Sequence, residues 1–197
     1  MKNQRTGYHH GTLKETLIDR ALELLAEGTR ATELSIRNLA AEIGVSPGAP
    51  YRHFPSADAL IAALAARGFG GLVAAMEAAT PRTLSAIGTA YVRYAAAHPE
   101  LYRAMYHFPV ERLAEYPELA EQADRAFALL RTSVEDARGP GGGSSPLAAT
   151  AAWAYVHGLS GLVINRLTTS VNVSDSAQME ELMRTFARVI PVDRSDR

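Results

Sequence analysis

The sequence predicts an all-α protein: an N-terminal three-helix unit followed by a larger helical region. Three observations lead there. Hydrophobic residues make up 47% of the chain, dominated by Ala and Leu, with few of the alternating runs that mark strands. Apolar positions recur at helical spacing in stretch after stretch. Ser, Thr, Pro and Gly fall where such helices would start and stop. At 197 residues the chain can bury a substantial core in one or two domains.

The first helix is expected from a capping box at Thr12-Leu13-Lys14-Glu15, with a buried stripe of Leu13, Leu17, Ala21, Leu24 and Leu25, and Gly28 to end it. Ser35 can cap a second helix, in which Ile36, Leu39, Ala40 and Ile43 share a face. Gly44 supplies the left-handed backbone that closes it, and Val45 plugs a tight turn. Ser46-Pro47 is a start signal for a third helix, a capping hydroxyl followed by a ring pre-set to helical φ. Helix, short turn with Gly, helix is the helix-turn-helix pattern, whose second helix enters the major groove of DNA. Pro50, at the fourth position of that helix, lacks an N–H and crowds the Ser46 carbonyl, so the recognition helix should be short or distorted at its start.

Ser56 opens a longer helix to about Ala78, with Leu60, Ile61, Leu64, Phe69, Leu72 and Met76 apolar. Gly68, Gly70 and Gly71 interrupt it, at roughly 1 kcal/mol each relative to Ala. Either a neighbouring helix crosses closely there, or the helix is a soft joint. Thr80-Pro81 restarts the chain into a helix carrying Leu84, Ile87, Tyr91, Val92 and Tyr94 and closed by His98-Pro99. A short helix then runs to about Tyr106, residues 107–116 read as irregular, and Pro117 opens a helix to Arg138. Gly139 to Ser145 is a flexible loop; without a following Lys-Ser/Thr it is no phosphate-binding loop. Leu147 to Asn165 has no charged residue and apolar groups on all faces, the mark of a helix buried on all sides. It is a poor membrane span, given His157, Asn165 and its many Ala and Gly residues, and no membrane partner is expected. The last helix, about Ser174 to Val189, puts Met179, Leu182, Met183, Phe186 and Val189 on one face.

Composition narrows the function classes. With no Cys, disulfides, thiolate zinc sites and Cys nucleophiles are excluded, which fits a reducing, cytoplasmic setting. The first twelve residues are polar and do not read as a signal peptide. Tyr8-His9-His10 lacks a third ligand at useful spacing, so neither metal nor cofactor is expected. Net charge is −1, which predicts no strong non-specific nucleic-acid binding; Lys2, Arg5, Arg37 and Arg52 nevertheless lie in the segments that would face DNA. The N-terminal arm reads equally as a groove contact or a frayed terminus.

Ser35-Ile36-Arg37-Asn38-Leu39-Ala40, Ile43-Gly44-Val45-Ser46, Tyr51-Arg52-His53-Phe54, Ser56 and Leu60 together resemble the DNA-binding domain of the TetR/AcrR family of transcriptional regulators. Gly7-Tyr8-His9-His10-Gly11, with Trp153, His157 and Gly158, resembles one branch of that family. The resemblance implies a DNA-binding domain over residues 1–67 and an effector-binding and dimerisation domain over 68–197. It also implies a homodimer formed through the helices at 147–166 and 174–189; Ala151, Ala154, Gly158 and Gly161 make a small-residue stripe there that would let another helix come close, with burial within one chain as the alternative. Ala57 departs from the Lys that many members carry, which removes one phosphate contact.

On this reading the DNA contacts fall on Arg37, Ser46, Pro47, Gly48, Ala49, Tyr51, Arg52 and His53. Arg52 suits a bidentate guanine contact, Pro47, Gly48 and Ala49 could touch thymine methyls, and Ser46 sits at a helix N-terminus that attracts phosphate. Tyr51 and His53 correspond to phosphate ligands of the family. The family's effector cavity would be lined by Tyr91, Tyr94, Met105, Tyr106, Phe127, Leu130, Trp153 and His157, residues that at helical spacing could equally be core. The expected protein is a homodimeric repressor released from a palindromic operator by a small, mostly apolar effector. Two rivals stand beside it. One is a helix-turn-helix architectural or protein-interaction module without effector. The other is a hydrolase using His98, His107 or His157, for which no Ser elbow, paired carboxylates or metal spacing speak.

Overall fold

The computed structural model describes residues 13–139 and 145–189, the last four of these by backbone alone. The N-terminal arm, the Thr12 cap, residues 140–144 and the side chains of Phe186 and Val189 lie outside what is described. All regular structure among the described residues is helical: α1 (Leu13–Ala26), α2 (Ile36–Glu42), α3 (Ala57–Glu77), α4 (Leu84–Ala97), α5 (Pro99–Met105), α6 (Pro117–Arg138), α7 (Pro146–Ile164) and α8 (Ser176–Val189). Short 3-10 helices occupy Ala31–Glu33, Pro50–Arg52 and Val110–Glu115.

Side-chain caps fix several starts. The Oγ atoms of Ser35, Ser56 and Ser145 accept from the backbone N–H three residues on, at 3.3, 3.1 and 3.2 Å. Such a cap is worth about 1 kcal/mol. After the Thr80-Pro81 break, the cap of α4 is Thr83, whose Oγ1 accepts from Ala86 N, so this helix starts later than the Pro signal predicts. Gly44 closes α2 at φ 74°, a conformation that disfavours any side chain.

The hub is α3. Leu60, Leu64, Leu72 and Met76 are almost wholly buried, each contributing roughly 1.5–3 kcal/mol of apolar transfer. Helices α1, α4, α5 and α6 pack around it. Two of its three glycines are explained by those neighbours. A Cβ on Gly68 would lie 2.6 Å from Met105 Cγ, and one on Gly71 would meet the Tyr94 ring carbons at 3.0 Å; on Gly70 it would find Gln122 at an ordinary 3.5 Å.

Two expectations need correction. Helix α7 is not buried on all sides: Ala149, Ala152, Val156 and Leu159 face the core, but Leu147 is 82% exposed and Leu162 44%, and Ala151, Ala154 and Gly158 are exposed as well. A Cβ on Gly158 or Gly161 would meet nothing within 4 Å. On α8, Met179 and Met183 fill the core of their own chain, Met183 against Gly88 of α4, so this part of its apolar stripe is already covered. Both α3 and α7 are long and apolar enough to cross a membrane, and α3 is mostly buried.

Candidate nucleic-acid interface and ligand cavity

The reading segment departs from an α-helix as Pro50 dictates. The Ser46 carbonyl, which Pro50 cannot serve, accepts from Ala49 N at 3.0 Å. The Pro50 carbonyl accepts from His53 N and Phe54 N at 2.9 Å, leaving only a 3-10 turn over Pro50–Arg52 as regular structure. The expected helix from Ser46-Pro47 is thus a sequence of tight turns. Pro50 and Phe54 are buried and anchor it to the core.

Everything expected to touch DNA is on one accessible segment or beside it. Arg37, Ser46, Pro47, Gly48, Arg52 and His53 are exposed, Ala49 is half-buried, and Tyr51 is 48% exposed, unusual for a large ring. Among the described residues neither Arg37 nor Arg52 has an ion pair or side-chain hydrogen bond. Other cations on this unit are engaged: Arg20 bonds Glu42 at 2.7 Å and Glu23 at 2.8 Å, and Arg67 pairs with Glu15. Two unengaged guanidiniums beside an exposed Tyr and His can meet phosphates and base edges.

The second site is a cavity of about 420 Å³ between α3, α4, α5, α6 and α7, within the range of small-molecule pockets. Of the expected residues, Tyr91, Met105, Tyr106, Phe127, Leu130 and Trp153 line it. Tyr94 lies elsewhere, over Gly71 and against His98, and burial pushes its hydroxyl up to about 12. His157 stands behind the wall, 4.4 Å from the Tyr106 ring and 5.8 Å from Trp153 between centroids. Phe69 of α3 and Phe108, Val110 and Leu113 also line the cavity. The last three come from the stretch that reads as irregular; its apolar residues at 108, 110 and 113 are the signal that could have placed it against a core.

A hydrogen-bonded chain runs behind that wall. The Tyr91 hydroxyl lies 2.6 Å from that of Tyr106 and 3.0 Å from that of Tyr102, whose oxygen is 2.8 Å from His157 Nδ1. Burial raises all three tyrosines and lowers His157, favouring a neutral imidazole. With Nδ1 accepting, each hydroxyl donates once, in the order Tyr106, Tyr91, Tyr102, His157. Among the described residues no buried side-chain polar atom lacks a partner. Nor does any group of three His, Cys, Asp or Glu residues there form a metal site.

Comparison with known proteins gives a consistent picture. The family model described as "Bacterial regulatory proteins, tetR family" matches residues 17–64, and that described as "Tetracyclin repressor-like, C-terminal domain" matches residues 84–186. Among solved structures, a Rhodococcus sp. RHA1 protein of unknown function is 32% identical, with a TM-score of 0.72 over 93% of this chain and 95% of its own. A tetR-family regulatory protein from Rhodococcus RHA1 is 21% identical, with a TM-score of 0.66 over 92% and 98%. The TetR-family transcriptional regulator PfmR from Thermus thermophilus is 23% identical, with a TM-score of 0.52 over 88% and 96%. These last two show the shared fold. No curated protein matches the chain in sequence.

Proposed function

We propose, from the premise that this chain belongs to the tetR family of bacterial regulatory proteins, that it is a homodimeric transcriptional repressor released from its operator by a small, mostly apolar effector. DNA binding and regulation come with the family. The finer reading rests on one observation above all: the exposed Tyr51, Arg52 and His53 and the 420 Å³ aromatic cavity are two separate sites, connected through α3. That is the layout a one-component sensor needs.

Residues 1–67 would form the reading unit and 68–197 the sensing and pairing unit. The bare face of α7, with Leu147, Ala151, Ala154, Gly158 and Leu162, is the surface a second copy would cover. Pairing two reading segments about a two-fold axis makes a palindromic operator the natural target. The cytoplasm is the compartment such a role requires.

The test combines sedimentation with footprinting on the chain's own upstream DNA. A dimer giving a two-fold symmetric footprint is expected. Gly158→Arg should fold, since a side chain there meets open space, yet sediment as a monomer and lose the footprint. A wild-type monomer at micromolar concentration would overturn the pairing, and an asymmetric footprint the palindrome.

A further inference from the structure

Trp153, the only tryptophan of the chain, shares the cavity with five other aromatic residues and a single ionisable group of opposite character, the Asp124 carboxylate. Among the described residues no Lys, Arg or His lines it. The hydroxyls in its wall belong to Tyr91 and Tyr106, and these are bonded to each other and onward to Tyr102. Hydrogen bonding to Trp153 also acts on Tyr106. A neutral hydrogen-bond acceptor would therefore have to break an existing bond to be recognised by them, since both O–H donors are already used. Asp124 is different. It is exposed, on α6 one turn before Phe127, and has no ion-pair or hydrogen-bond partner among the described residues. An ionised carboxylate only accepts hydrogen bonds and carries negative charge, while ring faces attract cations.

We infer that the cavity selects a cationic amphiphile: an apolar body among the rings and one protonated amine, or similar N–H cation, at Asp124. This deepens the reading of the cavity as an effector site and rests on it. An alcohol of the same shape can donate to the carboxylate but brings no opposite charge, and a carboxylate is repelled by Asp124.

The test titrates the full chain with decylamine, decanol and decanoate below their aggregation concentrations, following Trp153 fluorescence. Decylamine should bind about tenfold or more tightly than decanol, and decanoate most weakly. Asp124→Asn should bring decylamine to the affinity of decanol while leaving decanol unchanged. Asp124→Lys should reverse the order in favour of decanoate. Equal affinities in the wild-type chain, or an unchanged preference for decylamine in Asp124→Asn, would overturn the cationic class while leaving an effector cavity intact. If none of the three compounds perturbs Trp153, the cavity reading itself falls, and the inference with it.

Discussion

Arg112 Nη2 stands 3.0 Å from Asp58 Oδ2, and this bond joins the wall of the cavity to the first turn of α3. The same guanidinium bonds Glu115 at 2.9 Å and the Tyr116 hydroxyl at 3.2 Å, and lies 5.1 Å from the centroid of Phe108. It also holds the Glu115 carboxyl below the usual range. Val110, Leu113 and Phe108 face the cavity, and Asp58 follows the cap of the helix that leaves the reading segment. On the proposed function, a ligand that shifts the wall would act on α3 through this pair.

Breaking this pair should therefore uncouple the sites while barely changing stability. Asp58 and Arg112 are both more than a third exposed, and exposed pairs contribute about 0–1 kcal/mol. Asp58→Asn and Arg112→Gln are expected to bind operator within about fivefold of wild type and to need more ligand for release. Anisotropy of labelled operator titrated with ligand checks this; release at the wild-type ligand concentration in both variants would exclude the pair from the coupling.

At the DNA interface, Arg52→Ala should relax preference at one base position per half-site, by about 1–3 kcal/mol. Tyr51→Phe should weaken binding to all sequences alike, since a phosphate contact carries no sequence information. Binding-site selection with each variant separates them. The same motif and affinity for both variants and wild type would take these side chains out of the interface.

The glycines of α3 should respond unequally to Ala. Gly68→Ala drives a methyl against buried Met105 and should cost about 1–3 kcal/mol. Gly71→Ala should cost less, because the tip of the half-buried Tyr94 can shift. Gly70→Ala, with room for its methyl, should stabilise by up to about 1 kcal/mol. Melting temperatures rank them, and Gly70→Ala carries the soft-joint idea by itself: if it melts higher and releases DNA as wild type does, flexibility here has no part in release.

The Tyr102–His157 bond predicts an acid-sensitive core. Burial lowers His157 from its ordinary 6.5, so below that pH the unfolded chain binds a proton that the folded chain resists. Stability contributed by the neutral imidazole is therefore lost as pH falls from about 6.5, with a slope of at most ~1.4 kcal/mol per pH unit. His157→Gln should flatten that part of the profile relative to wild type. Urea unfolding between pH 5 and 8 measures it, and parallel profiles would show that His157 does not titrate differently in the folded chain.

The helix starts at Ser35 and Ser56 were legible because capping is local chemistry, whereas at α4 the Thr80-Pro81 signal outweighed the Thr83 hydroxyl that caps it. The effect of Pro50 was equally legible, since a missing N–H needs no tertiary context. The cavity was half-legible: Tyr91, Met105 and Trp153 lie on regular helices, whereas Phe108 sits in a bend and Val110 and Leu113 in a 3-10 turn, neither with a periodic signature. Tyr94 shares a helix with Tyr91, but only packing decides that it covers Gly71 instead. The bare face of α7 was hidden for another reason: Ala and Gly look alike in sequence whether they face a core or a bare surface.

The buried apolar residues form one continuous cluster from Leu17 of α1 to Met183 of α8, with α3 running through it. A cut between residues 67 and 68 would sever that helix next to Gly68, where Met105 presses against it. Exchanging reading heads between such proteins is then a graft through a shared spine. A chimera built from residues 1–67 must bring along the donor's partners of Leu60 and Leu64, or it will carry the address of one regulator on a core that fits neither.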